Sequence, residues 1–391
     1  MIGLKRVFCL FCSFVLLFSG TVFGGSAHAQ EYTGDISAKS AVLIDATTGE
    51  VLYAKNETEE RAMASTTKIM TALLTLEQEN LDEYFTVDSE AIQVEGSSMG
   101  LVEGDQVTLR ALAYGMLLPS GNDAANAAAV KIGGTVEDFV GMMNERAKAI
   151  GLQHTNFVTP SGLDAEGHHS TAYDMAMLAR KALKNEDFRQ ICSSANAQLE
   201  YGNSPYKRWL KNSNKMLTNY EGAIGVKTGF TDEAGRCLVT AATRDGVTLI
   251  CVTLSDPNDW QDTANLLDYG FSRVSAHEIP QDLVGDLNAV VTGGTQNTCK
   301  LQLYGAATTT ASVDELTAQV HLDRFYFAPV TAGDILGRVD YCYKGEVVAS
   351  QPLMAAEDVA VNDGEPEKGG FWDSFVRAIN SILDFMNSFS K

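Results

Sequence analysis

Three short groups of residues in this 391-residue chain could carry out acyl transfer together: Ser65-Thr-Thr-Lys68, Ser120-Gly-Asn122 and Lys227-Thr-Gly229. A hydroxyl becomes a useful nucleophile when a base takes its proton, and a side chain three residues further along a helix lies on the same face, within reach. Ser65 is therefore the candidate nucleophile and Lys68 its base. A helix start also presents free N–H groups and a positive dipole end to a side chain that must become an alkoxide. A lysine in water titrates near 10.4, so it acts as a base at neutral pH only where burial and a neighbouring cation lower that value. Lys227 is the candidate cation. Ser120 can relay a proton between the lysines and a leaving amine, and Asn122 offers donor and acceptor to a substrate amide. Lys227 and Thr228 can hold a terminal carboxylate. Gly229, at a strand end, leaves room for an extended peptide to add as a further strand. The oxyanion needs two converging N–H donors, and the backbone amides of Ser65 and Phe230 are the candidate pair.

Single matches mean little in this chain. Ser204-Pro-Tyr-Lys207 repeats the Ser-x-x-Lys spacing, and Ser194-Ala-Asn196 repeats Ser-x-Asn. Taken alone, Ser65 reads as a helix N-cap, Lys68 as a solvated helix residue, Ser120 and Asn122 as turn residues, and Lys227 as a strand-end charge. Lys-Thr-Gly occurs once, however, and only the Ser65 copy opens a buried helical pattern, so the joint arrangement is the signal. Beyond the first 29 residues, spacings of the C-x-x-C or H-E-x-x-H kind are absent, and neither a metal nor another cofactor is implied.

The elements that must position these groups follow from periodicity. Ala41–Asp45 and Glu50–Tyr53 flank Ala46-Thr-Thr-Gly49 as strand, turn and strand. Ser65–Glu77 is apolar at 69, 70, 73, 74 and 76 without Gly or Pro, which predicts a buried helix with Ser65 at its start. Helical patterns flank Pro119-Ser-Gly-Asn122 from Leu109 to Ile132, continue over Val136–Ile150, and resume at Met175–Leu183 behind the capping sequence Thr171-Ala-Tyr-Asp174. Gly162–His169 reads as a loop beside the site, with His168 and His169 outside the chemistry. Ile224–Leu254 changes to Val, Leu, Ile and Thr runs and predicts three antiparallel strands, followed by a helix over Trp260–Arg273. A two-residue turn at Asp245-Gly246 sets Cys251 opposite Thr240. Strands first and last with helices between predict an α/β (α+β) fold, a sheet whose first and last strands are neighbours, covered by a helical subdomain.

Beyond Pro280 the pattern is strand only, a small all-β sandwich at 279–362 after a catalytic domain at 30–278. Residues 363–370 read as a polar linker. Phe371, Phe375, Ala378, Ile379, Ile382, Met386 and Phe389 recur at helical spacing, so 371–391 is predicted to be an amphipathic helix, too short and too interrupted by Arg377 and Asp384 to span a bilayer but fit to lie in a membrane surface. At the other end, Lys5 and Arg6, the apolar run Val7–Phe18 and Ala27-His28-Ala29 read as an export signal over 1–29, placing the mature protein on the outer face of the cytoplasmic membrane or in the wall. The five remaining cysteines cannot all pair, and Cys237 and Cys251 read as free buried thiols. A formal net charge of -21 argues against nucleic-acid partners, which need clustered cations.

Together these residues resemble the low-molecular-mass penicillin-binding proteins that act as D-alanyl-D-alanine carboxypeptidases. The likeness is carried by Ser65-x-x-Lys68, Ser120-Gly-Asn-Asp-Ala124, Gly162-Leu-Asp164, His169-Ser-Thr-Ala-Tyr-Asp174 and Lys227-Thr-Gly-Phe-Thr-Asp-Glu-Ala-Gly235. It implies a transpeptidase/β-lactamase-like catalytic domain, a stem-peptide substrate of peptidoglycan ending in D-Ala-D-Ala, and acylation of Ser65 by β-lactams such as penicillin. It also implies Lys68 as proton acceptor, Ser120 as a third catalytic residue and Lys227 as a substrate ligand. Two rivals differ testably. A class A-like β-lactamase needs an E-x-x-L-N string between Asn122 and Lys227, which this chain lacks. A non-catalytic wall-binding or β-lactam-sensing module would not turn over a D-Ala-D-Ala peptide.

Overall fold

The computed structural model describes residues 32–362 together with Phe375, Val376 and Ile379; the expected export signal and nearly all of the expected linker and tail lie outside the described residues. The chain opens with the hairpin β1 (Ser40–Asp45) and β2 (Val51–Lys55). A 3-10 turn over Ala64–Thr67 leads into α1 (Lys68–Leu76), all nine residues of which are buried. A helix covered on every side belongs at the centre of its domain, and α2 (Leu109–Leu117), α3 (Asn122–Gly133) and α4 (Val136–Ile150) assemble with it into one core. Next come α5 (Ala172–Ala182), whose N-cap Thr171 accepts from the Asp174 amide, and α6 (Glu186–Cys192).

Between α6 and the next strands stands a hairpin that periodicity did not single out, β3 (Asn196–Tyr201) with β4 (Tyr206–Lys211). Its burial alternates, but exposed Asn, Gln, Glu and Lys dilute the apolar signal. Both decoy motifs fall here, with Ser204 in the turn and Asn196 opening β3, so neither serine opens a buried helix. The strands β5 (Ala223–Thr231), β6 (Gly235–Arg244) and β7 (Val247–Leu254) then complete an antiparallel sheet of order β2-β1-β7-β6-β5, so the first strand does pair with the last. Cys251 stands opposite Thr240, and Asp245 and Gly246 both take the positive φ of a tight hairpin turn. The helix α7 (Asp259–Phe271) covers this sheet.

The C-terminal region is β-rich but not strand only, since 3-10 turns occur at Gln281–Val284 and Val313–Glu315. Its main sheet contains β8 (Asn288–Thr292), β9 (Thr298–Leu303), β10 (Leu316–Leu322), β11 (Tyr326–Phe327), β12 (Ile335–Tyr343) and β13 (Glu346–Ala355), in the order β10-β12-β13-β9-β8-β11. Every pairing in that sheet is antiparallel except β8 with β11. Polar contacts tie this region to the first sheet and its helices: Thr310 donates to Asp45, and Glu346 receives Arg180 at 2.9 Å and Lys184 at 3.0 Å.

All five cysteines from Cys192 onward are free and buried, and burial pushes the thiols of Cys192 and Cys237 up to about 12 and about 11. A thiol reagent at pH 8 should therefore leave a folded chain starting at Gln30 almost unlabelled and titrate all five groups in denaturant. Fewer than five after unfolding would reveal a disulfide and contradict this arrangement.

Candidate active site

Lys68 is the buried centre of the site. Its side chain is wholly removed from solvent at the first turn of α1, where its amine meets three oxygens: Ser65 Oγ at 2.9 Å, Asn122 Oδ1 at 2.7 Å and the Ser161 carbonyl at 2.5 Å. Burial, first, and then the charge of Lys227 hold its pKa well below the ordinary lysine value, against a smaller opposing pull from Asp123. A neutral amine fits these partners. The amide and carbonyl oxygens only accept, so they take its two hydrogens, and the lone pair is left for the Ser65 hydroxyl proton. Ser65 is thus hydrogen-bonded to the Lys68 amine, and it is partly exposed.

Ser65 does not open the α-helix, as its sequence context suggests, but sits second in the 3-10 turn, with α1 beginning at Lys68. The turn is fixed from several sides. Ala64 holds φ +48, and the Thr67 hydroxyl donates to the Ala64 carbonyl at 2.8 Å. His168 stands 2.8 Å from that hydroxyl through Nε2, while its Nδ1 accepts the Val158 amide at 2.9 Å. With Nδ1 accepting, Nε2 carries the proton and donates to Thr67. Burial lowers the His168 pKa to about 4, so the ring is neutral and acts as a tie. Gly162 passes so close that a Cβ there would lie 2.0 Å from the Ala64 carbonyl oxygen, and its φ of +82 suits glycine alone.

The second group lies where α2 gives way to α3. Ser120 has φ +67, a strained conformation of the sort found at functional sites. Its side chain is nearly buried, and its hydroxyl receives no hydrogen bond from either lysine. Asn122 was expected to serve the substrate, yet both ends of its amide are engaged by the protein: Oδ1 accepts from Lys68, and Nδ2 donates to the Glu95 carbonyl at 2.6 Å. The reason lies next door. Asp123, almost fully buried, accepts from Ser98 Oγ at 2.6 Å and from the amides of Met99, Gly100 and Leu101, drawing the 95–101 loop against Asn122.

The third group lies on β5. Lys227 is buried, donates to the Thr228 carbonyl at 2.8 Å, and has its pKa lowered to about 7 by burial. Gly229 runs against the turn that carries Ser65, where a Cβ would lie 3.1 Å from both the Ser65 amide nitrogen and the Met63 carbonyl oxygen. Phe230, the next residue along the strand, has an exposed side chain. Thr228 Oγ1 shares a hydrogen bond with Ser213 Oγ at 2.8 Å, and Asp164 accepts from Thr231 Oγ1 at 2.8 Å, joining the 162–169 loop to the strand. Ser161, Ser213 and the tying role of His168 had no sequence signature, since each acts through a contact between segments distant in the chain. Gly162→Ala should displace the Ser65 turn, cutting covalent modification of Ser65 by an acylating probe at least ~10-fold and costing about 1–3 kcal/mol of stability. Unchanged labelling and melting would show that the turn does not depend on this contact.

Comparisons with known proteins cover most of the chain. Residues 26–258 match the D-alanyl-D-alanine carboxypeptidase family of peptidases, and residues 291–361 match the C-terminal domain of penicillin-binding protein 5. A D-alanyl-D-alanine carboxypeptidase of Bacillus subtilis is 35% identical over 93% of this chain and 96% of its own. One from Escherichia coli is 32% identical over 92% of each. The solved Streptomyces K15 DD-transpeptidase superposes on 62% of this chain and 99% of its own, with 37% identity and a TM-score of 0.59. A Francisella tularensis D-alanyl-D-alanine carboxypeptidase covers 87% of this chain with 25% identity and a TM-score of 0.60. Likeness of this extent, spanning both the helical-and-sheet region and the β-rich region behind it, places the chain in the D-alanyl-D-alanine carboxypeptidase family of serine peptidases.

Proposed function

We propose that Ser65 forms the acyl-enzyme of this D-Ala-D-Ala carboxypeptidase and that Lys68 is its base. The family acts on peptidoglycan stem peptides ending in D-Ala-D-Ala and binds β-lactams. The observation that carries the assignment of roles is a solvent-excluded lysine amine 2.9 Å from the Ser65 hydroxyl. Ser65 Oγ attacks the carbonyl carbon of the penultimate D-alanine as its proton passes to Lys68. The negative charge that builds on the carbonyl oxygen is met by the Ser65 and Phe230 amides. The C–N bond then breaks, the proton moves through Ser120 to the departing D-alanine amine, and an ester remains on Ser65. Water attacks that ester and gives a proton to Lys68, the ester C–O bond breaks as Lys68 returns the proton to Ser65 Oγ, and the shortened peptide leaves with its new carboxylate. Lys227 and Thr228 hold the terminal carboxylate, with the peptide extended beside β5 at Gly229. Asn122 serves first by fixing Lys68, and contacts the substrate only with what that leaves free.

The same reading divides the chain into a catalytic domain at 30–278, a β domain at 279–362, a linker at 363–370 and a membrane-surface helix at 371–391, after export directed by 1–29. Its support at the C-terminus is the apolar spacing, together with helical, partly exposed Phe375, Val376 and Ile379. Among the described residues no helix is long and apolar enough to cross a membrane.

A fluorescent penicillin should label the protein covalently, and Ser65→Ala should abolish labelling. With Lys68→Ala, acylation should fall at least ~10²-fold in a protein of unchanged circular dichroism, the usual scale for a lost general base. Undiminished label on either variant moves the role elsewhere. The pH dependence follows from the two lysines. Lys68 must be neutral, so kcat/KM falls on the acid side as Lys68 gains a proton. Lys227 must be charged to hold a carboxylate, so kcat/KM falls on the alkaline side, through about 7 in the free enzyme. Lys227→Arg keeps its charge and should move that alkaline limb upward by a unit or more. An alkaline limb identical in both proteins would remove Lys227 from carboxylate binding.

A further inference from the structure

The edge of the C-terminal sheet carries apolar side chains that are left exposed among the described residues. In the parallel pair of β8 and β11, Val291 stands beside Tyr326 and Thr292 beside Phe327. Side chains alternate along a strand, so Val291 and Tyr326 turn into the core while Val290, Phe325 and Phe327 turn out. They are 52%, 45% and 72% exposed, and the two phenylalanine rings stack edge to face with centroids 5.3 Å apart. Scattered apolar residues on a surface need no explanation, but a contiguous aromatic patch on a sheet edge does.

The position of the patch suggests its partner. Val361 bridges Gly294, and the Asn362 amide donates to the Gly293 carbonyl at 2.9 Å. The chain therefore leaves this sheet one residue away from Thr292, the partner of Phe327. Residues 363–370 can reach no further than about 28 Å even when fully extended, so a surface that holds the 371–391 helix keeps this edge close to it. A chain of net charge -21 gains little from anionic headgroups, which leaves apolar contact as the means of adhesion.

We infer that Val290, Phe325 and Phe327 form a second lipid contact, which dips into the bilayer interface beside the tail. The inference rests on the reading of 371–391 as a surface-lying helix and adds to it. Two contacts restrain the tilt of the β-rich region, which a single point of attachment cannot do.

The test uses the full mature chain and phosphatidylcholine vesicles. The native thiols are buried, so Phe327→Cys can be labelled there alone with an environment-sensitive fluorophore. Vesicles should shift its emission to the blue and raise it several-fold. Phe325→Ser with Phe327→Ser should weaken vesicle partitioning about ten-fold while turnover of a small soluble peptide is unchanged. Protein that floats with vesicles without any change at position 327, or a double variant that floats like the wild type, overturns the proposal. A label already dehydrated without lipid also overturns it, because the tail or another segment then covers the patch. The triple variant Phe375→Asp, Ile379→Asp, Ile382→Asp separates the two ideas: flotation undiminished in that protein refutes the tail reading, and loss of flotation supports it.

Discussion

A lysine held out of water next to a serine hydroxyl is the constraint on which the rest of this structure depends. An ammonium ion in such a place would be heavily penalised, and proteins resolve that conflict by releasing the proton. The site is built to make release the easy course: Lys68 lies on a helix buried all round, faces one further cation at Lys227, and finds two oxygens that accept its remaining hydrogens. A base that is free at neutral pH follows from packing, without a dedicated carboxylate or imidazole to take the proton.

That arrangement brings together segments far apart in the chain, and the fold can be understood as the means of doing so. The central helix delivers Lys68, the α2–α3 junction delivers Asn122, the loop after Pro160 delivers the Ser161 carbonyl, and β5 delivers Lys227. Glycine appears where backbones must nearly touch, as Gly162 and Gly229 do against the turn that carries Ser65. His168 resembles a catalytic histidine in its closeness to the site, but its lowered pKa and its bond to Thr67 make it part of the frame.

Much of this was legible in the sequence, because spacing encodes local geometry. Three motifs in order, a hairpin register that sets Cys251 against Thr240, and a first strand paired with the last all follow from periodicity and turn chemistry. What the sequence did not disclose depends on contacts across the fold. The helix of Lys68 starts three residues later than its apolar pattern suggests, because Thr66 and Thr67 turn their hydroxyls back onto the carbonyls of Met63 and Ala64. Asn122 has the residue type of a substrate ligand, but the 95–101 loop, drawn in by Asp123, engages its amide nitrogen while Lys68 takes its oxygen. The β3–β4 hairpin is polar on its open face apart from Trp209, so its alternation is weak against the helices around it.

The central claim is that Lys68 rests as a neutral amine whose lone pair receives the Ser65 proton. Neutron diffraction from crystals of the perdeuterated, substrate-free enzyme at neutral pH would observe this directly. The account predicts two deuterons on Lys68 Nζ, directed at Asn122 Oδ1 and the Ser161 carbonyl, with the Ser65 deuteron pointing toward the nitrogen. Three deuterons on Nζ, with the Ser65 hydroxyl turned away, would contradict it and require another group to take the first proton.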